Sequence, residues 1–335
     1  MATRVGMDLG TSFVRIYLPK KGFVVNEPNV VALNAVSQKV VAAGHEAKTM
    51  LGRTPEGIIA SYPLNDGVIA SYKIARQMLE MHLNKILGRI RIFKPDILAN
   101  VPVGATSTEK KAVMDLIQSV GARNVYLVKA PVAVALGAGI DISASSGNMI
   151  IDLGGGKTEV AVVSLGDIVA YTSVRYGGKK IDQSISDYIR KKNNLVIGEQ
   201  SSEQIKIDVG AAVAQKKELK MEVSGSNTIS GLPESIIIST SDVVSAVKPV
   251  LNEIILAVKQ VLQKTPPELS SDVMDKGIVI SGGAANLRGF DELMTKVTGV
   301  PCQTAEASDL CTIRGIAQII DNFNDFSDIL IWKKK

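Results

Sequence analysis

Cysteine, histidine and aromatic residues are scarce in this chain of 335 residues: two cysteines, two histidines and 4% aromatics. Cys302 and Cys311 allow at most one bridge, so no disulfide framework is available, and reduced thiols in a cytoplasm are the simpler reading. His45 and His82 stand isolated. With so few aromatics, and none interleaved among basic residues, the base-stacking surface of a nucleic-acid binder is missing, and no nucleic-acid partner is expected. No apolar run approaches the roughly 20 residues needed to cross a bilayer. Met1-Ala2-Thr3-Arg4 runs directly into an apolar strand and a glycine turn, leaving no room for a signal peptide. The expectation is a soluble, cytoplasmic protein.

Charge asymmetry is also small. The net charge of +5 comes from scattered basic residues, apart from Lys333-Lys334-Lys335, and suits either an anionic partner such as a membrane surface or solubility alone. What is present is ordinary globular material, 46% hydrophobic and 21% charged, long enough for about two domains of roughly 100–200 residues each.

An internal echo carries the information. Val5-Gly6-Met7-Asp8-Leu9-Gly10-Thr11-Ser12 leads into Val14–Leu18, and Met149-Ile150-Ile151-Asp152-Leu153-Gly154-Gly155-Gly156-Lys157-Thr158 leads into Val160–Val163. Both read as apolar strand, Asp-Leu-Gly, tight turn and returning strand. Glycines would supply positive φ and let backbone N–H groups approach a ligand as an anion-binding nest. An aspartate at each strand end suits a divalent cation held through water, as Mg²⁺ often is. Either segment alone reads most simply as a hairpin turn. A third element, Ile278–Ser281 followed by Gly282-Gly283, predicts a strand, glycines and a helix N-terminus, a docking geometry for phosphate or adenosine. The three together predict a nucleotide held between two related halves.

Thr106-x-x-Glu109 predicts a capping box opening a helix with Ala112, Val113, Leu116, Ile117 and Val120 inward, closed by Gly121. Ser201-x-x-Gln204 predicts another, carrying Ile205, Val209 and Ala212. Ser241 or Ser239 begins a long one with Val244, Val247, Leu251, Ile255, Val258 and Leu262 inward, stopped by Pro266-Pro267. Short apolar runs between helices, such as Ile97–Val101 and Val125–Val128, indicate an α/β fold with covered sheets.

These residues resemble the actin, DnaK and sugar-kinase superfamily, and within it the MreB family of bacterial actins. The likeness extends beyond the turns to Asn26-Glu27-Pro28-Asn29, Leu51-Gly52-Arg53, Pro63-Leu64-Asn65-Asp66-Gly67, Gly231-Leu232-Pro233 and Lys264-Thr265-Pro266-Pro267. It implies an actin-like ATPase fold: two related RNase H-like domains around a nucleotide cleft. The first would take residues 1–143 with 308–335, its small subdomain about 31–75. The second would take 144–307, its small subdomain about 180–241. It implies ATP and Mg²⁺ as cofactors. Asp8, Gly10, Thr11 and Ser12 would form one phosphate loop, Asp152, Gly154, Gly155, Gly156 and Lys157 the other, with Gly177 and Gly178 beside them. Asp8 and Asp152 would hold the metal through water. Gly282 and Gly283 would pack on the adenosine, and Glu203 with Lys206 would flank ribose and base; without the resemblance those two read as a solvated i,i+3 ion pair.

Two positions depart from the family pattern. Where the family reads Glu-Glu-Pro, its second glutamate placing the attacking water, this chain reads Lys129-Ala130-Pro131. Where it reads Gly-Gly-Gly-Thr-Thr-Glu, this chain has Lys157 in place of the first threonine. Losing one positioned group commonly costs about 10²–10³ in rate, and two groups acting on one water do not add. ATP binding with weakened hydrolysis is therefore expected, against an ordinary MreB cycle as the alternative. Lys157 either tightens the triphosphate state, stabilises the transition state, pairs with Glu159, displaces Mg²⁺, or is a solvated lysine. Phe13 replaces a small polar residue, with no account at this level.

The resemblance further implies self-association into filaments for cell shape or motility, with paralogous chains as further partners. Divergent copies of this kind occur in helical wall-less bacteria. Family members touch the inner face of the cell membrane through a short apolar loop, here Leu87–Pro95, where Ile92 and Phe93 would insert beside Arg89, Arg91 and Lys94. The alternative places Ile92 in a core strand. The tail Ile329–Lys335 is a second candidate for membrane contact, though it reads more simply as frayed. A sugar kinase would need a catalytic base, which is not found, and a DnaK-type chaperone would need a further domain beyond Gly283.

Overall fold

A computed structural model describes residues 3–65, 67–88, 90 and 93–332. Two large sheets dominate. The first runs across in the order Ile331–Trp332, Asn124–Lys129, Asp96–Val101, Arg4–Leu9, Phe13–Leu18 and Gly22–Pro28. The second runs Asp167–Val174, Thr158–Ser164, Asn148–Leu153, Ile278–Ser281 and Cys302–Thr304. In each, the strand bearing Asp-Leu-Gly pairs antiparallel with the strand that follows and parallel with a strand from far along the chain. A small sheet of Val31–Asn34, Val40–Ala43 and Ile58–Ser61 extends the first half, and one of Leu195–Val196, Lys220–Asn227 and Pro233–Ser239 extends the second. The C-terminal segment is not frayed: Ile331 and Trp332 pair with Leu127 and Tyr126, and Tyr126 packs edge-on against Phe323.

Local chemistry accounts for the helix ends. Thr106 and Glu109 form the expected capping box on helix Ser107–Ser119, which buries Leu116 and Ile117. Ser239 and Asp242 form another on Thr240–Lys264. Along that long helix the buried stripe is Val243, Val247, Val250, Leu251, Ile254, Val258 and Val261, with Ile255 and Leu262 half-buried at its edge. The inward face is rotated by about one residue from the apolar count, because Ala246 and Ala257 also belong to it. The helix predicted from Ser201 begins two residues earlier, at Glu199, and Ala212 lies beyond its end at Val209.

Between the sheets lies a third core, built on helices Ala130–Gly137 and Cys311–Asp321. Ala130–Gly137 leaves the first sheet and packs on the strands of the second; Cys311–Asp321 follows the second half and packs on the first sheet. The two backbones touch. A Cβ at Gly137 would lie 1.7 Å from the Cys311 carbonyl oxygen, and one at Gly315 would lie 1.8 Å from that of Ala133. Gly6 similarly admits Ile316, whose Cγ2 would be 2.6 Å from an added Cβ. No side chain can be fitted at the crossing without separating the helices, and overpacking a filled core commonly costs about 1–3 kcal/mol. Gly315→Ala should therefore lower the unfolding free energy by about 3 kcal/mol in a urea titration. A loss below about 1 kcal/mol would show that the crossing yields.

Candidate functional site

The two Asp-Leu-Gly turns meet. A Cβ on Gly155 would lie 1.9 Å from Ser12 Oγ and 2.9 Å from its Cβ, so the turns of the two sheets are in contact at the floor of one cleft. That cleft, about 580 Å³, is lined by Asp8, Gly10, Thr11, Ser12, Ala130, Asp152, Gly154, Gly155, Gly156, Lys157, Gly178, Glu203, Lys206, Gly282 and Gly283. Its size falls among small-molecule sites of roughly 300–1,000 Å³. Every residue expected to touch nucleotide lines it except Gly177, which caps helix Gly178–Asn193 directly behind the second turn.

The glycines act by close approach rather than by the expected positive φ. None of Gly10, Gly154, Gly155 and Gly156 has positive φ. Instead a Cβ on Gly10 would lie 2.7 Å from the Phe13 carbonyl oxygen, and one on Gly177 2.7 Å from that of Gly154. Helix Gly178–Asn193 then clamps the second turn, Gly178 N–H donating to Gly154 O at 2.9 Å and Lys179 N–H to Gly155 O at 2.8 Å. The first turn is clamped by buried Asn29, whose side-chain amide donates to Thr11 O at 2.9 Å and Leu64 O at 2.7 Å. Gly282 does take φ of +94°, and a Cβ there would lie 2.2 Å from Leu153 O. The helix expected after it opens as a 3₁₀ turn, Gly283–Asn286, with the α-helix Phe290–Thr298 following.

The floor is acidic and internally neutralised. Asp8 accepts from Asn100 Nδ2 at 3.0 Å on one oxygen and meets Arg15 Nη1 at 3.5 Å on the other. Burial pushes its carboxyl up, and Arg15 opposes this. Burial, then neighbouring Glu159, pushes Asp152 up to about 7, with Lys157 opposing. Lys157 pairs with Glu159, a carboxylate 1% exposed that also accepts from Val103 N–H of the first half at 2.7 Å. Of the readings open for Lys157, pairing with Glu159 is the one present. Ala130 is buried as the first residue of its helix, and no carboxylate stands there; adjacent Lys129 reaches Asp167 at 2.6 Å.

At the mouth, Glu203 and Lys206 do not pair with each other. Glu203 bridges to Lys48 at 2.7 Å, and Lys206 bridges to Asp182 at 2.7 Å. Tyr62 donates to Glu199 at 2.6 Å and Gln200 to Lys48 O at 2.7 Å, so segments flanking both small sheets contribute to the mouth. Sequence reasoning missed Arg15, Asn100, Asp182 and Asp309. A charge inside the apolar strand Phe13–Leu18 was a readable signal for Arg15; Asp182, on the Ile181, Ile185, Ile189 face of its helix, was another. Phe13 gains an account, since the Arg15 guanidinium lies 4.9 Å from its ring centre. Ile92, Arg89 and Arg91 lie outside the described residues; Ile90 and Phe93 are exposed.

Two sheets whose Asp-Leu-Gly turns face each other across a cleft, with paired helices beneath, constitute an actin-like ATPase fold. Residues 2–328 match the MreB/Mbl protein family, and the chain belongs to it. It is 41% identical to the cell shape-determining protein Mbl of Bacillus subtilis over 96% of this chain and 97% of that one. It is 41% identical to the cell shape-determining protein MreB of Escherichia coli over 93% and 91%. A crystal structure of MreB5 of Spiroplasma citri bound to ADP superposes with a TM-score of 0.93 at 32% identity, covering 98% of this chain and 99% of that one. The MamK double helical filament, at 19% identity and a TM-score of 0.79 over 96% and 99%, shares the fold.

Asp152 sets a pH dependence. With divalent cations chelated, the folded chain keeps that proton up to about pH 7, whereas the unfolded chain loses it near pH 4. The associated stability is full below about pH 4 and is lost as pH rises through about 7. Between those limits wild type should lose up to about 4 kcal/mol more than Asp152→Asn in denaturant unfolding. Parallel curves would show that Asp152 ionises freely.

Proposed function

We propose that this chain is an ATP-binding bacterial actin that assembles into cytoskeletal filaments for cell shape or motility, with ATP hydrolysis weakened. The observation that carries the weakening is the pair of substituted positions on the cleft floor. Ala130 offers no group to orient water, and the Lys157 ammonium is committed to buried Glu159. Phosphoryl transfer depends on placement and charge stabilisation rather than on covalent chemistry by the protein. A site with its loops present and its water-placing groups absent therefore binds better than it turns over.

ATP binding is supported by the facing turns, whose backbone forms a closely packed cradle, and by the ADP and AMPPNP complexes of the Spiroplasma citri relative. The acidic floor fits Mg²⁺: burial opposes ionisation of Asp8 and Asp152, a cost that a divalent cation would relieve. Those two carboxylates would hold it through water, since no cluster of three ligands exists among the described residues. Bound there, the cation would neutralise phosphate charge. Glu203 and Lys206 would take the ribose and base, and Gly282 with Gly283 the adenosine. The domains would divide as residues 1–143 with 308–335, and 144–307.

Filament assembly is supported by family membership. No helix among the described residues is long and apolar enough to cross a membrane, and Phe93, 83% exposed, with Ile92 would instead insert at the inner face of the cell membrane. Burying two such side chains yields about 3–6 kcal/mol before entropic costs, which a filament multiplies by avidity.

Steady-state phosphate release at saturating Mg·ATP tests the reading. Wild type should be slow and Ala130→Glu/Lys157→Thr at least about tenfold faster, within the range of one restored positioned group. Wild type as fast as the variant would make this an ordinary MreB ATPase. Binding of a fluorescent ATP analogue tests the cradle separately. Gly155→Ala pushes the turns apart and should weaken binding at least about tenfold, a 1.4 kcal/mol effect, and Gly155→Ala/Ser12→Gly should recover most of it. Unchanged affinity in Gly155→Ala would place the ligand elsewhere.

A further inference from the structure

Arg15 is the one lysine or arginine buried among the described residues, at 8% exposure, and it lies under the proposed nucleotide. On its strand it is the cross-strand partner of Asp8 on one side and Asn26 on the other. Its guanidinium meets Asp8 at 3.5 Å, donates to Asn26 Oδ1 at 3.0 Å and to Asp309 Oδ2 at 3.0 Å, and lies over the Phe13 ring. Asp309 follows Ser308, whose carbonyl accepts from Gly282 N–H at 2.9 Å and whose hydroxyl donates to Gly282 O at 3.1 Å. One side chain thus ties the first turn to the Gly282-Gly283 turn, the two ends of the same ligand site.

Both Asp8 oxygens are engaged, one by Asn100 and one by this internal cation. A hydrated divalent cation must compete for the second oxygen, while the guanidinium makes the acidic floor one charge less repulsive to a phosphate than an apolar residue would. The planar guanidinium can bridge both carboxylates at once, which a point-charge ammonium does less well. A purely structural buried ion pair is a weak stability device, often matched by apolar residues of similar volume. It needs neither placement in the cleft nor a second carboxylate that is 41% exposed.

We propose that Arg15 is a positioning residue that holds Asp8 and serves as a resident counter-ion for the bound nucleotide, so that nucleotide binding here depends less on Mg²⁺ than it would with an apolar residue at this position. The inference rests on the ATP-binding reading above. The measured quantity is the ratio of ATP dissociation constants in EDTA and in saturating Mg²⁺, read by competition with the fluorescent analogue. Arg15→Leu removes the counter-ion and frees Asp8 for the metal, so the ratio should rise at least about tenfold, or 1.4 kcal/mol of Mg²⁺ coupling. Arg15→Lys keeps the charge and should stay close to wild type. Asp309→Asn, at a half-exposed site, hands the guanidinium to Asp8 alone and should lower the ratio. An unchanged ratio in folded Arg15→Leu overturns the inference alone. If Arg15→Leu fails to fold, a rise in Asp309→Asn overturns it equally, and a fall supports it. Absence of any ATP binding by wild type overturns the nucleotide reading and this inference together.

Discussion

The backbone contact between helices Ala130–Gly137 and Cys311–Asp321 is the constraint on which the cleft depends. Helix Cys311–Asp321 packs on the first sheet and helix Ala130–Gly137 on strands of the second, so their separation sets how far apart the sheets stand. With Gly137 and Gly315 at the crossing, the sheets come close enough for Gly155 to meet Ser12. A few tenths of an ångström at the crossing is transmitted to the turns, because close-packed interiors do not absorb such displacements locally. The first residue of one helix is Ala130, and the other is preceded by Asp309, so the element that spaces the sheets also delivers two residues to the cleft.

That closeness brings four carboxylates, Asp8, Asp152, Glu159 and Asp309, around one floor, and two cations answer them. Arg15 lies between Asp8 and Asp309; Lys157 is drawn to Glu159 and also offsets Asp152. Removing one member of a buried pair costs more than the pair contributes, since it leaves a lone buried charge. The four acids and two bases therefore form one electrostatic unit. A threonine at position 157 would remove the one cation paired with Glu159 and leave the Val103 N–H contact in place.

Much of the site was legible because its parts are local. Asp8, Asp152 and the glycine runs announce themselves within a dozen residues, and capping boxes at Thr106 and Ser239 mark helix starts by short-range hydrogen bonds. What was misread depends on contacts far along the chain. Glycines at both turns were expected to supply backbone conformation, but they make room for Ser12 and for helix Gly178–Asn193, neither of which a strand-turn-strand pattern contains. The tail becomes a strand only because Asn124–Lys129 offers it an edge. Glu203 and Lys206 share a helix face as expected, yet each bonds outside its helix, because Lys48 and Asp182, from elements far along the chain, stand at 2.7 Å from them.

These mouth contacts also order the way a ligand would be admitted. Lys48 and Glu203 are each about a third exposed, so their bridge is worth on the order of 0–1 kcal/mol and opens readily. Lys206 and Asp182 are nearly enclosed, and separating them strands a buried carboxylate whose ionisation burial already opposes. A nucleotide entering under the proposed reading therefore displaces Lys48 to reach Glu203, while Lys206 remains anchored and is met in place. Lys48 belongs to the small sheet region of the first half and Glu203 to that of the second, so the weaker bridge is one of the contacts that join the two lips of the cleft, beside Tyr62–Glu199 and Gln200–Lys48 O. Under that reading, engaging Glu203 would break one of the contacts that close the mouth, while the other two would still hold the lips together.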